Sequence, residues 1–355
     1  MLPIPADALL STTVMATDTR SMSETQAVAT TRDMATQLMP LLVNSKPDLW
    51  QNSMGGLLFK KTDSALRGHV MAEMSTLMAV TGVQRAVFLP ANPSKGRIIA
   101  NGIYYIKDVR DQQQSLRPIH KTDFSFDPEF PATTSVMRER FPEAEGLGII
   151  MPDATSMEDI RRVVAQYDDG HTLFAGAADL FAVLMAARGG GTRTPSAGQK
   201  RTLTLSPART LILCGSTQST SLGLDIPLSA MPKEVYDGST DLSSWLADAQ
   251  GKYAAAGSLI LHMTYNHRTG KTAAEHLRQQ MATVACLLMR ERMPQHLVVE
   301  GGATAFATLS LMGWKQFGIV AQPVPGVVTL QGCDTPLVTL KPGSYPWPDT
   351  FFSDC

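Results

Sequence analysis

Along most of this 355-residue chain, short apolar runs alternate with segments of helical period, and this alternation restricts the fold more than any other feature. Arg85–Leu89, Gly148–Met151, His171–Gly176, Thr210–Cys214, Ser258–Met263 and His296–Val299 are each too short for helices and lack the strict polar alternation of half-exposed strands. They read as buried strands. Between them Val70, Met74, Leu77 and Met78 recur at helical spacing, as do apolar positions over Met157–Tyr167, Ala177–Arg188, Lys271–Met293 and Ala305–Met312. Strand, turn, helix and strand in this order give a parallel sheet, so the chain is expected to be α/β, with mostly parallel sheets flanked by helices in Rossmann-like layers. Its length favours two domains. The Gly/Ser/Thr-rich stretch beginning Gly189-Gly190-Gly191 is the natural linker. This gives an N-terminal domain over 1–188, a linker over 189–208 and a C-terminal domain over 209–355.

Other local expectations follow from pattern. Leu9–Ala16 is β-like, and Ser23 caps a helix running from Glu24 to about Leu42, with Ala27, Met34, Leu38 and Leu41 on one face. Gly56–Phe59 ends a strand, and Asn101-Gly102 turns a hairpin over Ile98–Lys107. Asp108–Pro142 is polar, Pro-containing and without period, and suits an ordered excursion over a site.

A net charge of −1 gives no electrostatic case for nucleic acid or a membrane surface, which leaves small, near-neutral partners. No apolar run reaches the length of a membrane span, and the first residues lack a basic segment before an apolar core. Cys214, Cys286, Cys333 and Cys355 are widely spaced and read as reduced thiols of a cytoplasmic protein. The seven histidines show no metal-ligand spacing, so no metal site is expected from protein side chains alone. Gly-x-Ser-x-Gly is absent, and no Gly-x-Gly-x-x-Gly follows a strand, which disfavours a nucleophile-elbow hydrolase and a dinucleotide oxidoreductase.

Chemistry concentrates in Lys60-Lys61-Thr62-Asp63-Ser64-Ala65-Leu66-Arg67-Gly68-His69, a strand-to-helix turn. Two readings stand side by side. Asp63 or Ser64 is a helix cap in a solvated turn, or Lys60, Lys61 and Arg67 hold a carboxylate or phosphate. In the second domain, Thr269-Gly270-Lys271-Thr272 resembles the end of a phosphate-binding P-loop but has Tyr265 where the first glycine belongs, so a capped helix start is the better reading. Gly301-Gly302-Ala303-Thr304 and Gly215-Ser216-Thr217 each follow a strand, where glycine lets backbone approach a phosphate at a helix N-terminus; a tight structural turn is the alternative.

Together these segments resemble the four-carbon acid sugar kinases. Thr17-Asp18-Thr19-Arg20 is similar to the family's Asp-x-x-Thr-Arg segment, and Lys60–Gly68 to its Lys-Lys-Thr-Asp-Ser-x-x-Arg-Gly signature. The likeness continues through Pro90-Ala91, Gly96-Arg97, Pro152–Thr155, Gly215-Ser216, Gly301-Gly302-x-Thr304, Pro325-Gly326 and Lys341–Tyr345. It implies an ATP- and Mg²⁺-dependent kinase acting on a hydroxyl of threonate, erythronate or a 3-oxo-tetronate, with a cleft between an acid-binding N-terminal domain and a nucleotide-binding C-terminal one. On this resemblance Asp63 and Lys61 are the catalytic candidates; Lys60, Thr62, Ser64, Arg67, Gly68, Arg97 and Arg20 contact the acid; Gly215, Ser216, Gly301, Gly302, Thr304 and Gly343 contact the nucleotide. A homodimer is compatible with it. The family's Asp-Asp-x-Thr-Gly-Ala segment has no counterpart ahead of Asp18, its acidic residue between Gly302 and Thr304 is Ala303, and its closing Lys-Ser-Gly is Lys341-Pro342-Gly343. Each change strikes a ligand contact, so a relative that binds a sugar acid or nucleotide without turnover is the competing expectation.

Overall fold

The computed structural model describes residues 14–44, 57–107, 115–127, 130–188, 209–215, 224–263, 271–324 and 326–342. The chain forms two compact units, Met1–Thr194 and Pro195–Cys355.

In the first unit, α1 (Glu24–Asn44) starts at Ser23, whose hydroxyl accepts from Gln26 N–H while Gln26 Oε1 accepts from Ser23 N–H, a reciprocal cap. It buries Ala27, Thr31 and Ala35, spaced by four. Next come β1 (Phe59–Lys61), α2 (Val70–Thr81) and β2 (Arg85–Leu89), followed by an antiparallel hairpin of β3 (Arg97–Ala100) and β4 (Ile103–Lys107). The hairpin turns on Asn101 and Gly102, both left-handed, as a two-residue loop between right-twisted strands requires. β5 (Leu116–Pro118) adds a third strand, and a short α3 (Met137–Arg140) follows. β6 (Ile149–Ile150), α4 (Met157–Tyr167), β7 (Thr172–Gly176) and α5 (Ala178–Ala187) complete the unit. Ser156 and Asp159 close a capping box at the start of α4.

The main sheet, in order β1-β7-β2-β6, is wholly parallel. Register places Lys61 beside Gly176 and Gly176 beside Leu89, so three strands end in one row. Val87, Phe88, Leu89, Phe174 and Ala175 are fully buried, consistent with helices covering both faces.

The second unit contains β8 (Thr210–Cys214), β9 (Leu228–Ala230), α6 (Lys233–Asp237), α7 (Ser243–Ala256), β10 (Leu259–His262), α8 (Lys271–Glu291), β11 (His296–Glu300), α9 (Gly302–Leu311), β12 (Gly318–Val324), β13 (Val327–Gln331) and β14 (Leu337–Lys341). Its sheet runs β12-β13-β14-β11-β8-β10-β9, with β14 through β9 parallel and β13 and β12 antiparallel. The α/β expectation therefore holds in both units. No described helix is long and apolar enough to cross a membrane.

Local differences from the sequence reading have physical causes. The first sheet strand takes in both lysines, because the Lys60 ammonium pairs with buried Glu73 on α2 and so tolerates strand geometry. Residues 14–18 have no regular structure, and residues 1–13, the remainder of the expected Leu9–Ala16 strand, lie outside the described residues, as do the linker, Cys355 and the Thr264–Gly270 loop. Helix α7 escapes a periodicity reading because alanine, glycine and polar residues dominate it. Its buried stripe is only Trp245, Ala249 and Tyr253.

Two buried polar features of the second sheet generate tests. His296 is buried at the start of β11, its Nε2 2.7 Å from Thr339 Oγ1, and burial pushes its pKa down to about 4. Between pH 6.5 and 4 the unfolded chain therefore binds a proton that the folded chain excludes, and stability falls as pH falls, by ~3 kcal/mol across the window. His296→Gln should flatten this part of the stability–pH curve, measured by urea unfolding; a curve parallel to wild type contradicts it. At the other end of the same strand, Glu300 Oε1 accepts from Lys341 Nζ at 2.5 Å, both side chains 1% exposed. Lys341→Met or Glu300→Gln alone should each cost ~3–5 kcal/mol, and the double variant should recover most of the loss, since an unmatched buried charge is worse than none. Single variants as stable as wild type would contradict this.

Candidate functional site

At the carboxyl end of β1 the chain turns sharply through Thr62–His69 before α2 begins. Asp63 organises the turn. Its Oδ1 accepts from Ala65 N–H at 2.7 Å and Arg67 Nε at 3.2 Å; its Oδ2 accepts from Arg67 Nη2 at 2.8 Å and Arg20 Nη1 at 3.1 Å. Burial alone would raise its pKa, but the Arg67 hydrogen bonds and charge, the Ala65 amide and Arg20 outweigh it and hold the carboxyl below its ordinary value. Asp63 is therefore a fixed anion with both oxygens engaged. The capping reading fails on geometry: the residue before α2 is His69, which makes no side-chain cap and instead places Nε2 2.9 Å from the Met22 carbonyl.

The turn contains Leu66 at φ 62° and Gly68 at φ 101°. A buried leucine in the left-handed region stores strain of order 1–3 kcal/mol, which needs restraint from outside the turn. Tyr104 Oη donates to Ser64 O at 2.6 Å, and Arg140 Nη2 donates to Leu66 O at 3.1 Å. Tyr104 is fully buried, and desolvation raises its pKa well above the ordinary tyrosine value, so it remains a neutral donor.

Around this frame the cations divide into two kinds. Arg67 is tied to Asp63 and, through Nη1 at 3.3 Å, to Asp127; Arg20 is tied to Asp63; Lys60 is tied to Glu73. Among the described residues, Lys61 and Arg97 pair with no carboxylate. Lys61 Nζ donates to the Thr62 carbonyl at 2.6 Å, and loss of water around its ammonium lowers its pKa, with Arg97 and Lys60 adding to the fall and Asp63 opposing it. Arg97 Nη1 donates to Ser64 Oγ, and its guanidinium lies 5.9 Å from the Phe124 ring centroid. Thr62 Oγ1 is buried without a hydrogen-bond partner. The result is a local excess of fixed positive charge at the end of a parallel strand, suited to a carboxylate or phosphate.

The first-unit candidates are thus brought together with one exception. Strand alternation turns Lys60 away from Lys61, and its charge is spent on Glu73. Sequence reasoning missed Tyr104, Phe124, Asp127 and Arg140, which restrain the turn and its arginines. Three of the four come from Asp108–Pro142, where no period marks them, and only the assignment of that stretch to a site pointed their way.

In the second unit, Gly215, Gly301, Gly302 and Thr304 also meet. Gly215 follows β8, and a Cβ there would lie 2.3 Å from Thr304 Oγ1, so only glycine permits this contact. Gly301 stands at φ 101° between β11 and α9, and its N–H donates to Lys341 O at 2.8 Å. Beside Gly302, the first residue of α9, a Cβ would meet nothing within 4 Å, which leaves open space at the helix N-terminus. The first amides of a ten-residue helix, which find no partner within the helix, fit a phosphate group. Register sets His262, Cys214, Glu300 and Lys341 in one row across the carboxyl ends of four strands. Burial lowers the His262 pKa against the pull of Glu300. Ser216 and Gly343 lie outside the described residues. Among the described residues no three His, Cys, Asp or Glu side chains cluster as a metal site.

Residues 5–146 match the family described as the sugar-binding N-terminal domain, a span that contains Arg20, Lys60–Gly68 and Arg97. A D-threonate kinase of Bordetella bronchiseptica is 37% identical over 79 residues, 22% of this chain and 18% of that enzyme. In structure, a Haemophilus influenzae protein of family DUF1537 superposes with TM-score 0.60 at 17% identity, over 95% of this chain and 87% of its own. A Salmonella typhimurium protein carried under the label of a tRNA synthase superposes with TM-score 0.66 at 15% identity, over 95% and 86%. At these identities the structural likeness establishes the fold. The family match covers residues 5–146, and the stretch shared with the D-threonate kinase spans 22% of this chain, so the likeness to a known sugar-acid kinase is a likeness of part of the chain.

Proposed function

We propose that the protein is an ATP-dependent kinase that phosphorylates a hydroxyl of a four-carbon sugar acid of the threonate, erythronate or 3-oxo-tetronate class. The observation that carries the reading is a pair of cations, Lys61 and Arg97, without carboxylate partners among the described residues, at the rim of a turn whose other charges are mutually satisfied. A free carboxylate on the substrate completes that arrangement, and a neutral sugar does not. Lys61 and Arg97 bind the acid group; Ser64 offers its hydroxyl to the sugar chain; Asp63, with Arg20 and Arg67, keeps the turn in shape.

In the second unit the amides of the first turn of α9 from Gly302 onward, with Gly215 and Thr304 alongside, would hold the phosphates of ATP. ATP supplies the phosphoryl group, and Mg²⁺ would enter with the phosphates, as this ion commonly does. Proton acceptance from the substrate hydroxyl falls to a group with a free lone pair. Asp63 could serve only by releasing an arginine. One observation favours binding without turnover: Asp63 and Asp127, the carboxylates at this rim, are both engaged by Arg67.

Incubation of the purified protein with Mg-ATP and a panel of four-carbon acids, with ADP release as readout, tests the reading. Release above background with at least one acid is expected, and Arg97→Ala should raise the KM for that acid by ~10- to 100-fold, as loss of a charged hydrogen bond does. Acid binding without ADP release would establish the non-catalytic alternative. Neither binding nor release would overturn both.

A further inference from the structure

Arg67 and Arg97 come from different parts of the first unit, yet both guanidiniums pack on one ring. Phe124 has Arg67 Cζ at 5.7 Å and Arg97 Cζ at 5.9 Å from its centroid. The two arginines depend on that ring unequally. Arg67 is already fixed by three hydrogen bonds to two carboxylates, so the ring adds little to its placement. Among the described residues the Arg97 side chain has one hydrogen bond, to a neutral hydroxyl, and no carboxylate partner, and a long side chain so held retains much of its rotamer freedom unless a surface confines it.

The ring itself is well placed to do this. Phe124 sits in a short turn of helix over Asp123–Phe126; its N–H donates to Thr122 Oγ1 and its carbonyl accepts from Ala132 N–H at 2.9 Å. Its side chain packs against the hydrophobic core, while Phe126, two residues on, is 85% exposed. An aromatic face attracts a guanidinium without neutralising it, which a carboxylate would do. Arg97 is thereby oriented with its charge left available for a ligand.

We propose that Phe124 is a positioning residue for acid recognition, holding the Arg97 guanidinium in place for the substrate carboxylate. This rests on the sugar-acid reading given above. Calorimetric titration with the four-carbon acid that the wild-type protein binds best separates the two claims, since it needs no turnover. Phe124→Leu, close in volume and without the π face, should weaken binding ~3- to 10-fold, and Phe124→Trp should stay within about twofold of wild type. In the Arg97→Ala background, Phe124→Leu should have no further effect, because the ring acts through Arg97. The NMR resonance of Arg97 Nε–H, assigned with Arg97→Lys, should lose its ring-current shift in Phe124→Leu whether or not acid is present. Wild-type affinity in Phe124→Leu, or equal weakening with and without Arg97, overturns the proposal; loss of affinity in Phe124→Trp equal to that in Phe124→Leu does so too. A wild-type protein that binds no four-carbon acid removes the sugar-acid reading, and the positioning claim with it.

Discussion

The carboxylate of Asp63 is the interaction on which the first unit's site depends. Four donors converge on its two oxygens, one from the backbone of its own turn and three from the guanidiniums of Arg67 and Arg20. Without that anion, two arginines would face each other at the end of a parallel strand and repel. With it, they become walls. The turn also carries a left-handed leucine, a conformation that Tyr104 and Arg140 restrain by hydrogen bonds to the carbonyls on either side. Strain, charge and shape are thus settled before any ligand arrives, which is what preorganised recognition of an anion requires.

The second unit builds the corresponding sheet edge with backbone instead of side chains. Gly215 and Gly301 clear space around Thr304 and the N-terminus of α9, and the buried Glu300–Lys341 pair lies directly behind them. Lys341 contributes twice to this edge, its side chain pairing with Glu300 and its carbonyl receiving the Gly301 N–H. The cation is satisfied internally, so positive potential for a phosphate comes from amides. Side-chain cations with a defined fork or point charge suit a small carboxylate, and a row of amides suits a chain of phosphates.

Much of this was legible because it is local. The alternation of buried runs with helical periods places strands such as Arg85–Leu89 and Thr210–Cys214 at the residues where they occur, since parallel strands buried on both faces leave continuous apolar signals. The Lys60–Gly68 turn was visible as a concentration of charge. What the sequence hides is pairing at a distance. Lys60 and Lys61 look alike in the chain, yet Glu73 pairs with one, and among the described residues no carboxylate pairs with the other. From the chain alone Asp63 is a cap or a catalytic candidate, and only the fold places Arg20, 43 residues earlier, on its second oxygen. Phe124 and Asp127 sit in a stretch with no period at all, because their contacts are to the turn and not to a repeating face.

The central claim is that Lys61 and Arg97 await a carboxylate while the Asp63 network stays intact. The most direct measurement is a crystal structure of the protein with a bound four-carbon hydroxy acid. The account predicts carboxylate oxygens within ~3 Å of the Arg97 guanidinium and the Lys61 ammonium, with both Arg67–Asp63 hydrogen bonds retained. An acid bound away from these two side chains, or one that takes Arg67 from Asp63, would contradict it.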